Sequence, residues 1–298
     1  MKQITLQITT RNRLEDLKIS LRLNLPILLN ENVHTIICVD GSRDDTFNFI
    51  KKNYPEIELI KNEKSIGLIA SRNKMMSLTK TPFAISLDDD AHFLGKDNVE
   101  LILKYFSSYK TCAVIAFRIY WGQEELDYIN DKNLPCRVRG FVGCGHAWRM
   151  KHWKQIRPYP SWFVFYGEEE FASYELFKHN LEVHYVPNIF IQHRVDIKSR
   201  KKSSDYFTRN RRSLRAGWYL WLMFIPYHSI LKNWSYSVYS QFRLKVLKGQ
   251  PLIFFTIFLA FLDVILNIPR ILADKNRLSK VEYMNYLKLP QTKIFWKQ

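Results

Sequence analysis

The stretch from Ala84 to Phe93 reads AISLDDDAHF and ends an apolar run in three consecutive aspartates. Residues Ala84–Leu87 are typical of a buried β-strand, because a short apolar run bounded by polar residues favours that conformation. Three adjacent carboxylates repel each other and need water, counter-ions or a metal. The stretch therefore indicates either a ligand site at the end of a strand or a solvated acidic turn.

The first half of the chain alternates strand-like runs with helical stretches. The four predicted strands are Ile4–Thr9, Val33–Asp40, Ile57–Lys61 and Phe83–Leu87. Alternation of this kind is typical of βαβ units around a parallel sheet, in which ligands bind at the carboxyl ends of the strands. Asp40 ends the second strand and Asp88–Asp90 follow the fourth, so we expect both acidic groups to face one crevice. No GxGxxG or GxxxxGK[ST] loop occurs, which disfavours dinucleotide oxidoreductases and P-loop NTPases.

Asp88 and Asp90 have the spacing with which two carboxylates at a strand end can hold a divalent cation. Mg²⁺ and Mn²⁺ prefer oxygen ligands and keep coordination positions open for phosphate oxygens. Asp89 should point elsewhere, and we expect it to be the most replaceable of the three.

Basic residues accompany these acids near the predicted strand ends. Arg11, Arg13 and Arg72 lie there or at the adjoining helix starts, and a guanidinium can bond a phosphate bidentately. Surface ion pairs are the alternative for each arginine. Asp40 can accept a hydrogen bond from the ring N–H of uracil or thymine.

Two further stretches carry residues of chemical interest. Residues Trp162–Phe177 read WFVFYGEEEFASYELF, where three glutamates open a helical pattern. These glutamates can stabilise the helix N-terminus, and one that is partly desolvated by the neighbouring aromatics can act as a general base. His193 follows a strand-like run, and Gly140–Met150 contains three glycines that permit a close backbone approach or a turn.

Together these motifs resemble the family 2 glycosyltransferases of the GT-A fold. The matching stretches occur in the family's order over most of residues 4–195: TTRNR, VDGSRDDT, NEKSIGLIASRN, LDDDAHF, GCGHAWRM, YGEEEFASYELF and VPNIFIQHRV. The resemblance implies an α/β, Rossmann-like fold with a mostly parallel central sheet. YFTRNRRSL and a later IPRIL resemble the C-terminal part of bacterial members that build surface polysaccharides.

The resemblance also implies which residues bind the nucleotide-sugar donor. Thr9, Arg11, Asp40 and Arg72 match positions that bind the nucleotide, and Asp88 matches a position that meets the diphosphate.

The metal site and the catalytic acids are implied in the same way. Asp88 and Asp90 match the family's DxD, which meets a Mn²⁺ or Mg²⁺ ion, and His193 matches a histidine that completes this site in some members. Glu169 matches the catalytic base, where Asp is commoner, and Glu168 matches the preceding acid, which positions the acceptor.

The implied activity is that of an inverting hexosyltransferase that works by a single displacement. It would transfer a hexose or deoxyhexose from a UDP- or dTDP-sugar to a saccharide or polyprenyl-diphosphate-linked acceptor in bacterial cell-surface polysaccharide synthesis. One alternative is a non-catalytic binder of anionic lipid or nucleic acid, and another is a nucleotidyltransferase that releases pyrophosphate.

The positive charge of the chain is concentrated near its C-terminus. Residues 196–298 carry 19 Lys and Arg against 5 Asp and Glu, so +14 of the formal +17 lies there. Such a segment favours an anionic membrane, nucleic acid or an anionic substrate. We predict a GT-A catalytic domain over residues 1–195 and a basic, aromatic, helical region over residues 196–298. Under the glycosyltransferase reading, an anionic membrane surface is the expected partner and nucleic acid is not.

An apolar segment, Leu252–Pro269, carries a polar stripe at helical spacing. The stripe comprises Asp263, Asn267, Arg270 and Asp274, with Thr256 and Ala260 continuing it. Within this segment only 11 residues, Leu252–Leu262, precede Asp263, whereas a membrane-spanning helix needs about 20 apolar residues. We therefore predict a helix that lies in the membrane interface. Trp218, Tyr219, Trp221 and Tyr227 suit the headgroup region. The alternative is a helical subdomain that buries these faces internally.

The cellular location is predicted from the N-terminal sequence and the cysteines. The N-terminus has no apolar signal-peptide core, and four scattered cysteines fit a reducing compartment. We therefore expect a peripheral protein on the cytoplasmic face of the bacterial cell membrane.

Overall fold

The computed structural model describes residues 1–124, 126, 133–196 and 204–296. The basic run Lys198–Lys202 lies outside them. The strands are β1 (Ile4–Thr10), β2 (Val33–Asp40), β3 (Glu58–Asn62), β4 (Phe83–Asp88), β5 (Ala91–Leu94), β6 (Cys112–Trp121), β7 (Cys136–Val138), β8 (Gly145–Arg149), β9 (Glu182–His193) and β10 (Ile294–Trp296). The α-helices are α1 (Leu14–Leu23), α2 (Leu25–Leu28), α3 (Thr46–Asn53), α4 (Leu68–Leu78), α5 (Asn98–Ser108), α6 (Met150–Trp153), α7 (Glu168–Lys178), α8 (Tyr206–Phe224), α9 (Tyr227–Leu244), α10 (Ile253–Leu266), α11 (Ile268–Ala273) and α12 (Lys280–Lys288).

The strands form one mixed sheet in the order β3-β2-β1-β4-β8-β6-β9-β5, with β10 beside β6 and β7 beside β9. The β3-β2-β1-β4 half is entirely parallel, because helices α1, α3 and α4 return the chain between its strands. Beyond it, β8 runs antiparallel to both β4 and β6. The predicted α/β class is confirmed, with the four predicted strands in its parallel half.

The carboxyl ends of β1, β2 and β4 meet at one edge of this sheet. Thr9 near the end of β1 lies opposite Cys38 of β2 and Asp88 of β4. Asp40 therefore ends the strand on one side of β1, and Asp88 ends the strand on the other. The expectation that both acidic groups lie at the same edge is confirmed.

The C-terminal helices share an apolar core with the sheet region. This core includes Trp148 and Phe171 together with Trp218 and Phe224 of α8. The Phe224 ring lies 5.3 Å from the Phe171 ring and 4.9 Å from the Tyr174 ring, both on α7. The predicted boundary between residues 195 and 196 follows β9, and the core continues across it.

Helix α10 turns the part of the polar stripe that it carries, Thr256, Ala260 and Asp263, inward against α8, whereas Arg270 on α11 is exposed. Arg211 donates to both carboxylate oxygens of Asp263, at 2.7 Å from Nε and 2.6 Å from Nη2, and Arg215 Nη1 lies 3.3 Å from the same side chain. Trp218 and Tyr219, which the sequence suggested for the headgroup region, are instead buried. They face inward because α8 packs between α7 and α10. Within the described residues, every helix is too short or too polar to cross a bilayer.

Candidate active site

The three aspartates at the end of β4 take three different sets of partners. Asp88 lies 2.8 Å from Arg72 Nη2, and Asp89 lies 2.8 Å from Arg13 Nη1. Asp90 pairs with Arg13 Nη2 at 2.8 Å and with His193 Nε2 at 2.9 Å. Two arginines thus supply counter-charge to the three adjacent carboxylates, and the His193 ring lies beside Asp90.

Asp88, Asp90 and His193 form a group that could hold a metal ion. One ligand atom from each lies within 4.8 Å of the others. Both ring nitrogens of His193 are buried: Nε2 lies 2.9 Å from Asp90 Oδ1, and Nδ1 makes no hydrogen bond within the part of the chain that the structure describes. A cation shared with the carboxylates would satisfy the nitrogen that faces them. Two carboxylates and an imidazole suit a divalent ion such as Mn²⁺, so the residues fit the predicted cation.

Asp89, which the sequence predicts to be the most replaceable of the three aspartates, is buried in the structure. It is 5% exposed, and its backbone carbonyl accepts a 2.6 Å hydrogen bond from Ser20. Burial and the neighbouring Asp90 raise the pKa of Asp89 to about 7, although Arg13 opposes this. Asp89 points away from the cation group, as predicted, but its side chain fills a buried position under the loop after β1.

Arg72 joins the cation group to the glutamates of α7. Its Nη1 lies 2.7 Å from Glu168 Oε1, and its Nη2 donates to the Gly143 carbonyl at 2.9 Å. Because Nη2 also pairs with Asp88, one buried guanidinium bridges both acidic sites. These carboxylates raise the pKa of Arg72 against the effect of burial, so it stays charged.

The glutamates occupy the first turn of α7, which is entered through a strained loop. Val164 and Tyr166 both have φ of 71°, and Gly167 at the N-cap has φ of 89°. A positive φ is unfavourable for a β-branched residue such as Val164. Arg215 of α8 supports this loop by donating to the Phe163 carbonyl at 2.9 Å.

The three glutamates differ in exposure and environment. Glu168 is buried, Glu169 is half-buried and Glu170 is exposed. Burial, followed by the charge of Glu168, raises the pKa of Glu169 to about 8, although Arg72 opposes this. Glu168 is fixed by Arg72, whereas no ion pair holds Glu169 within the described residues. Glu169 therefore differs from Glu168 in having no ion pair to a described cation, although its side chain is hydrogen-bonded to Glu168.

The structure shows why the stretch before β8 has a glycine at position 143. A Cβ at this position would overlap Glu169 Oε1 and lie 2.9 Å from Arg72 Nη1. The glycine therefore lets the glutamate and the arginine pack over bare backbone. Gly145 has a different neighbour, because its Cβ would strike Ile191 of β9.

Asn62 at the end of β3 and the loop that follows it surround the Asp40 carboxylate with hydrogen-bond donors. It accepts hydrogen bonds from the Asn62 side chain (3.0 Å), the Ser65 hydroxyl (2.6 Å) and the backbone N–H groups of Ile66 (2.9 Å) and Gly67 (3.0 Å). Burial disfavours its charge, but these donors lower its pKa. In this structure the carboxylate organises a loop at the rim of the crevice.

Thr9 near the end of β1 and Arg11 just after it have different environments. The Thr9 hydroxyl is buried beside Asp88 and makes no hydrogen bond to any described residue. Arg11 is exposed, because Asn12 with φ of 53° turns the chain and bonds to the backbone N–H of Arg43. The structure thus places Thr9 opposite Asp88 of the cation group and leaves Arg11 exposed.

Residues 5–172 match the family described as glycosyl transferase family 2. The chain belongs to this family. It is a glycosyltransferase, and an inverting reaction is consistent with this membership. No curated protein sequence is similar to it.

Solved structures support the same fold for this glycosyltransferase. It resembles GalNAc-T7 solved with UDP, GalNAc and Mn²⁺ (TM-score 0.58, 15% identity, 75% of this chain and 48% of that one). It also resembles TarS of S. aureus (0.52, 11%, 70% and 38%) and the mannosyltransferase PcManGT of Pyrobaculum calidifontis in complex with GDP-Man and Mn²⁺ (0.55, 12%, 96% and 83%). The chain thus spans less than half of the first two proteins. These similarities establish a GT-A-like fold with a mixed, mostly parallel sheet.

Sequence reasoning about this glycosyltransferase missed the pairing of Arg13 with the aspartates and the packing of Glu169 over Gly143. A signal for the first was present, because β1 and β4 are neighbours in the sheet and Arg13 follows β1 by three residues. The second had no signal, since it depends on how α7 is placed above the loop before β8.

Proposed function

We propose that this glycosyltransferase is an inverting, metal-dependent enzyme that transfers a hexose or deoxyhexose from a UDP- or dTDP-sugar to a saccharide or lipid-linked saccharide. The bridge made by Arg72 between Asp88 and Glu168 carries the proposal. It joins the group that could hold a cation to the pair of carboxylates at the start of α7. Transfer from a nucleotide sugar needs both, because the leaving diphosphate must be neutralised while the acceptor hydroxyl loses its proton.

Glu169 is the general base in this proposal. The acceptor oxygen forms a bond to the anomeric carbon, the bond from that carbon to the diphosphate oxygen breaks, and its electron pair leaves with the diphosphate. Glu169 takes the hydroxyl proton, a contribution typically worth about 10²–10⁴-fold. Attack from the face opposite the leaving group inverts the anomeric centre. Glu168, held by Arg72, positions the acceptor.

The donor binds along the ends of the parallel strands. Asp88, Asp90 and His193 would hold Mn²⁺ or Mg²⁺, which stabilises a departing diphosphate by several kcal/mol. We assign nucleotide binding to the residues around this group: Thr9, Arg11, Asp40, Arg72 and Asp88. Among them Thr9 is the best placed to bond a bound nucleotide, because its buried hydroxyl makes no hydrogen bond within the described structure.

The acceptor and the location are proposed from the C-terminal region. Its charge of +14 and its aromatic residues suit the cytoplasmic face of a bacterial membrane, where a polyprenyl-diphosphate-linked saccharide would be presented. The resemblance of this region to bacterial enzymes of surface-polysaccharide synthesis supports the same role. Nucleic acid is not a partner in this proposal.

The test is a donor screen with site variants. UDP- and dTDP-sugars are incubated with Mn²⁺ or Mg²⁺ and a lipid-linked saccharide, and the released nucleoside diphosphate is measured. Glu169→Gln should lower kcat by about 10²–10⁴-fold and leave donor binding intact, whereas Asp90→Asn should abolish metal-dependent donor binding. Glu170→Gln is the matched control, because Glu170 is an exposed neighbour on the same helical turn.

Three results would contradict the proposal. Full activity of Glu169→Gln would show that Glu169 is not the general base. A product that retains the donor's anomeric configuration would exclude a single displacement. Release of pyrophosphate in place of a nucleoside diphosphate would identify a nucleotidyltransferase.

A further inference from the structure

Helix α10 exposes an apolar surface to solvent and buries its polar groups. Its buried residues include Thr256 and Asp263, which face α8. Its exposed large side chains are all apolar: Phe254, Phe255, Phe258, Leu259, Phe261, Ile265 and Leu266. A helix of a water-soluble surface has the opposite arrangement. We therefore expect a partner to cover the exposed side of α10, since apolar patches of this extent mark interaction sites.

A groove between α9 and α10 extends this apolar surface. It has a volume of about 800 Å³ and is lined almost entirely by apolar side chains. Trp218 and Trp234 pack at 5.3 Å between ring centres, and Phe261 packs on Trp234 at 5.9 Å. The mouth is formed by exposed residues of both helices, among them Tyr239 and Phe254. We call the groove and the exposed side of α10 the apolar face.

Basic residues lie beside the apolar face along α9 and in the turn that joins α9 to α10. Lys232, Arg243 and Lys248 are exposed. Leu247 and Leu252 in the same turn are 68% and 53% exposed. The turn therefore presents apolar side chains next to cations, the combination found where a helix lies in the headgroup region of a bilayer.

We infer that the apolar face is a docking surface for the interface of an anionic bilayer, with hydrocarbon chains filling the groove. Protein interfaces carry about one hydrogen bond per 100–200 Å², and the exposed side of α10 offers no polar side chain to make one. Hydrocarbon needs none. The adjacent cations match anionic headgroups, whereas a second copy of the chain would bring the same positive charge against them.

This inference deepens the proposed function, because it names the surface that would bring a lipid-linked acceptor to the enzyme. The inferred contact is made by the surface of α9 and α10, and none of the described helices is long and apolar enough to cross a bilayer. Binding to lipid can be measured without any donor or acceptor, so its failure is distinguishable from the failure of the proposed activity.

The experiment is flotation of the full chain with vesicles of phosphatidylcholine containing about 30% phosphatidylglycerol, compared with pure phosphatidylcholine. The variant Phe254→Gln/Phe255→Gln/Phe258→Gln should weaken partitioning by at least 100-fold, since each side chain is more than half exposed and its burial is worth about tenfold. Arg243→Gln/Lys248→Gln should weaken it by about fivefold per cation, and only for the anionic vesicles.

The matched control is Leu29→Gln/Leu134→Gln, which alters two exposed leucines outside the C-terminal region and should float like the wild type. Nucleotide binding and the melting temperature show whether each variant is folded. The charge variant and a salt titration keep the inference testable if the phenylalanine variant unfolds.

Two results would overturn the inference. One is unchanged flotation of the phenylalanine variant, and the other is a wild type that does not float with anionic vesicles. In the second case, ultracentrifugation that shows a wild-type dimer and a monomeric phenylalanine variant would assign the apolar face to a second copy of the chain.

Discussion

Replacing Gly143 by alanine should misplace the proposed base while leaving the protein folded. A Cβ at this position would lie about 1.3 Å closer to Glu169 Oε1 than an ordinary contact of 3.4 Å allows. The backbone of Gly143 cannot yield easily, because its carbonyl accepts a hydrogen bond from Arg72. The half-buried carboxylate must therefore move, by more than 1 Å.

A displacement of about 1 Å can cost roughly 10²-fold in rate when it moves a catalytic group. We expect Gly143→Ala to lower kcat by this factor. Donor affinity should change only a few-fold, because the Arg72 guanidinium at 2.9 Å needs to shift by only a few tenths of an ångström. Gly143 does not have a positive φ, so alanine adds no backbone strain and the melting temperature should fall little.

The assay compares kcat and donor affinity of Gly143→Ala with those of Gly140→Ala. A Cβ on Gly140 would meet its nearest described neighbour, Ser173 Oγ, at an ordinary 3.4 Å, so this control should keep wild-type activity. A Gly143→Ala enzyme with wild-type kcat would refute the reasoning. So would a loss that appears in donor affinity alone, because Glu169 would then not be the group displaced.

Three further predictions concern the metal, the base and the C-terminal packing. His193→Ala should weaken Mn²⁺ binding, measured by electron paramagnetic resonance, by at least tenfold, since even outer-shell changes cost 10–100-fold; unchanged binding would exclude it as a ligand. Burial and Glu168 raise the pKa of Glu169 to about 8, and a general base must be deprotonated to act. We therefore expect kcat/KM to rise about tenfold per pH unit below pH 8 and to level off above it. A flat pH profile of kcat/KM from pH 6 to 9 would contradict this. Asp263→Asn should lower the free energy of unfolding, measured by denaturant titration, by about 2–3 kcal/mol, because Arg211 loses a buried charged partner. The control Glu15→Gln removes an exposed ion pair and should cost less than about 0.5 kcal/mol. Equal losses for the two variants would show that the Asp263 network is not stabilising.

Much of the parallel half of the sheet could be predicted from the sequence. Local periodicity located β2 at Val33–Asp40 and placed Asp40 and Asp88 at strand ends, because each strand is a short apolar run with a polar boundary. The rule that parallel strands present their carboxyl ends together then placed both acids at one edge. The antiparallel β8 was not predictable in this way, since its position between β4 and β6 depends on long-range pairing.

The neighbours of individual side chains were harder to predict. Asp89 looked replaceable because alternation turns it away from Asp88 and Asp90, but the loop after β1 covers it and pairs it with Arg13. Trp218 looked interfacial because apolar and aromatic residues surround it, but α8 packs that side inward. In both cases a distant segment determines burial, and no local pattern records it.

The continuous core beneath α7 also limits how this chain can be divided. The family match ends at residue 172, inside α7, yet Phe171 and Tyr174 of that helix rest on Phe224 from the C-terminal region. A chain cut after residue 195 would keep every residue that we assign to chemistry and expose one side of the helix that carries Glu168 and Glu169. The part of the sequence that identifies the family is therefore smaller than the part that must fold together, and a shortened enzyme should aggregate before it loses any catalytic residue.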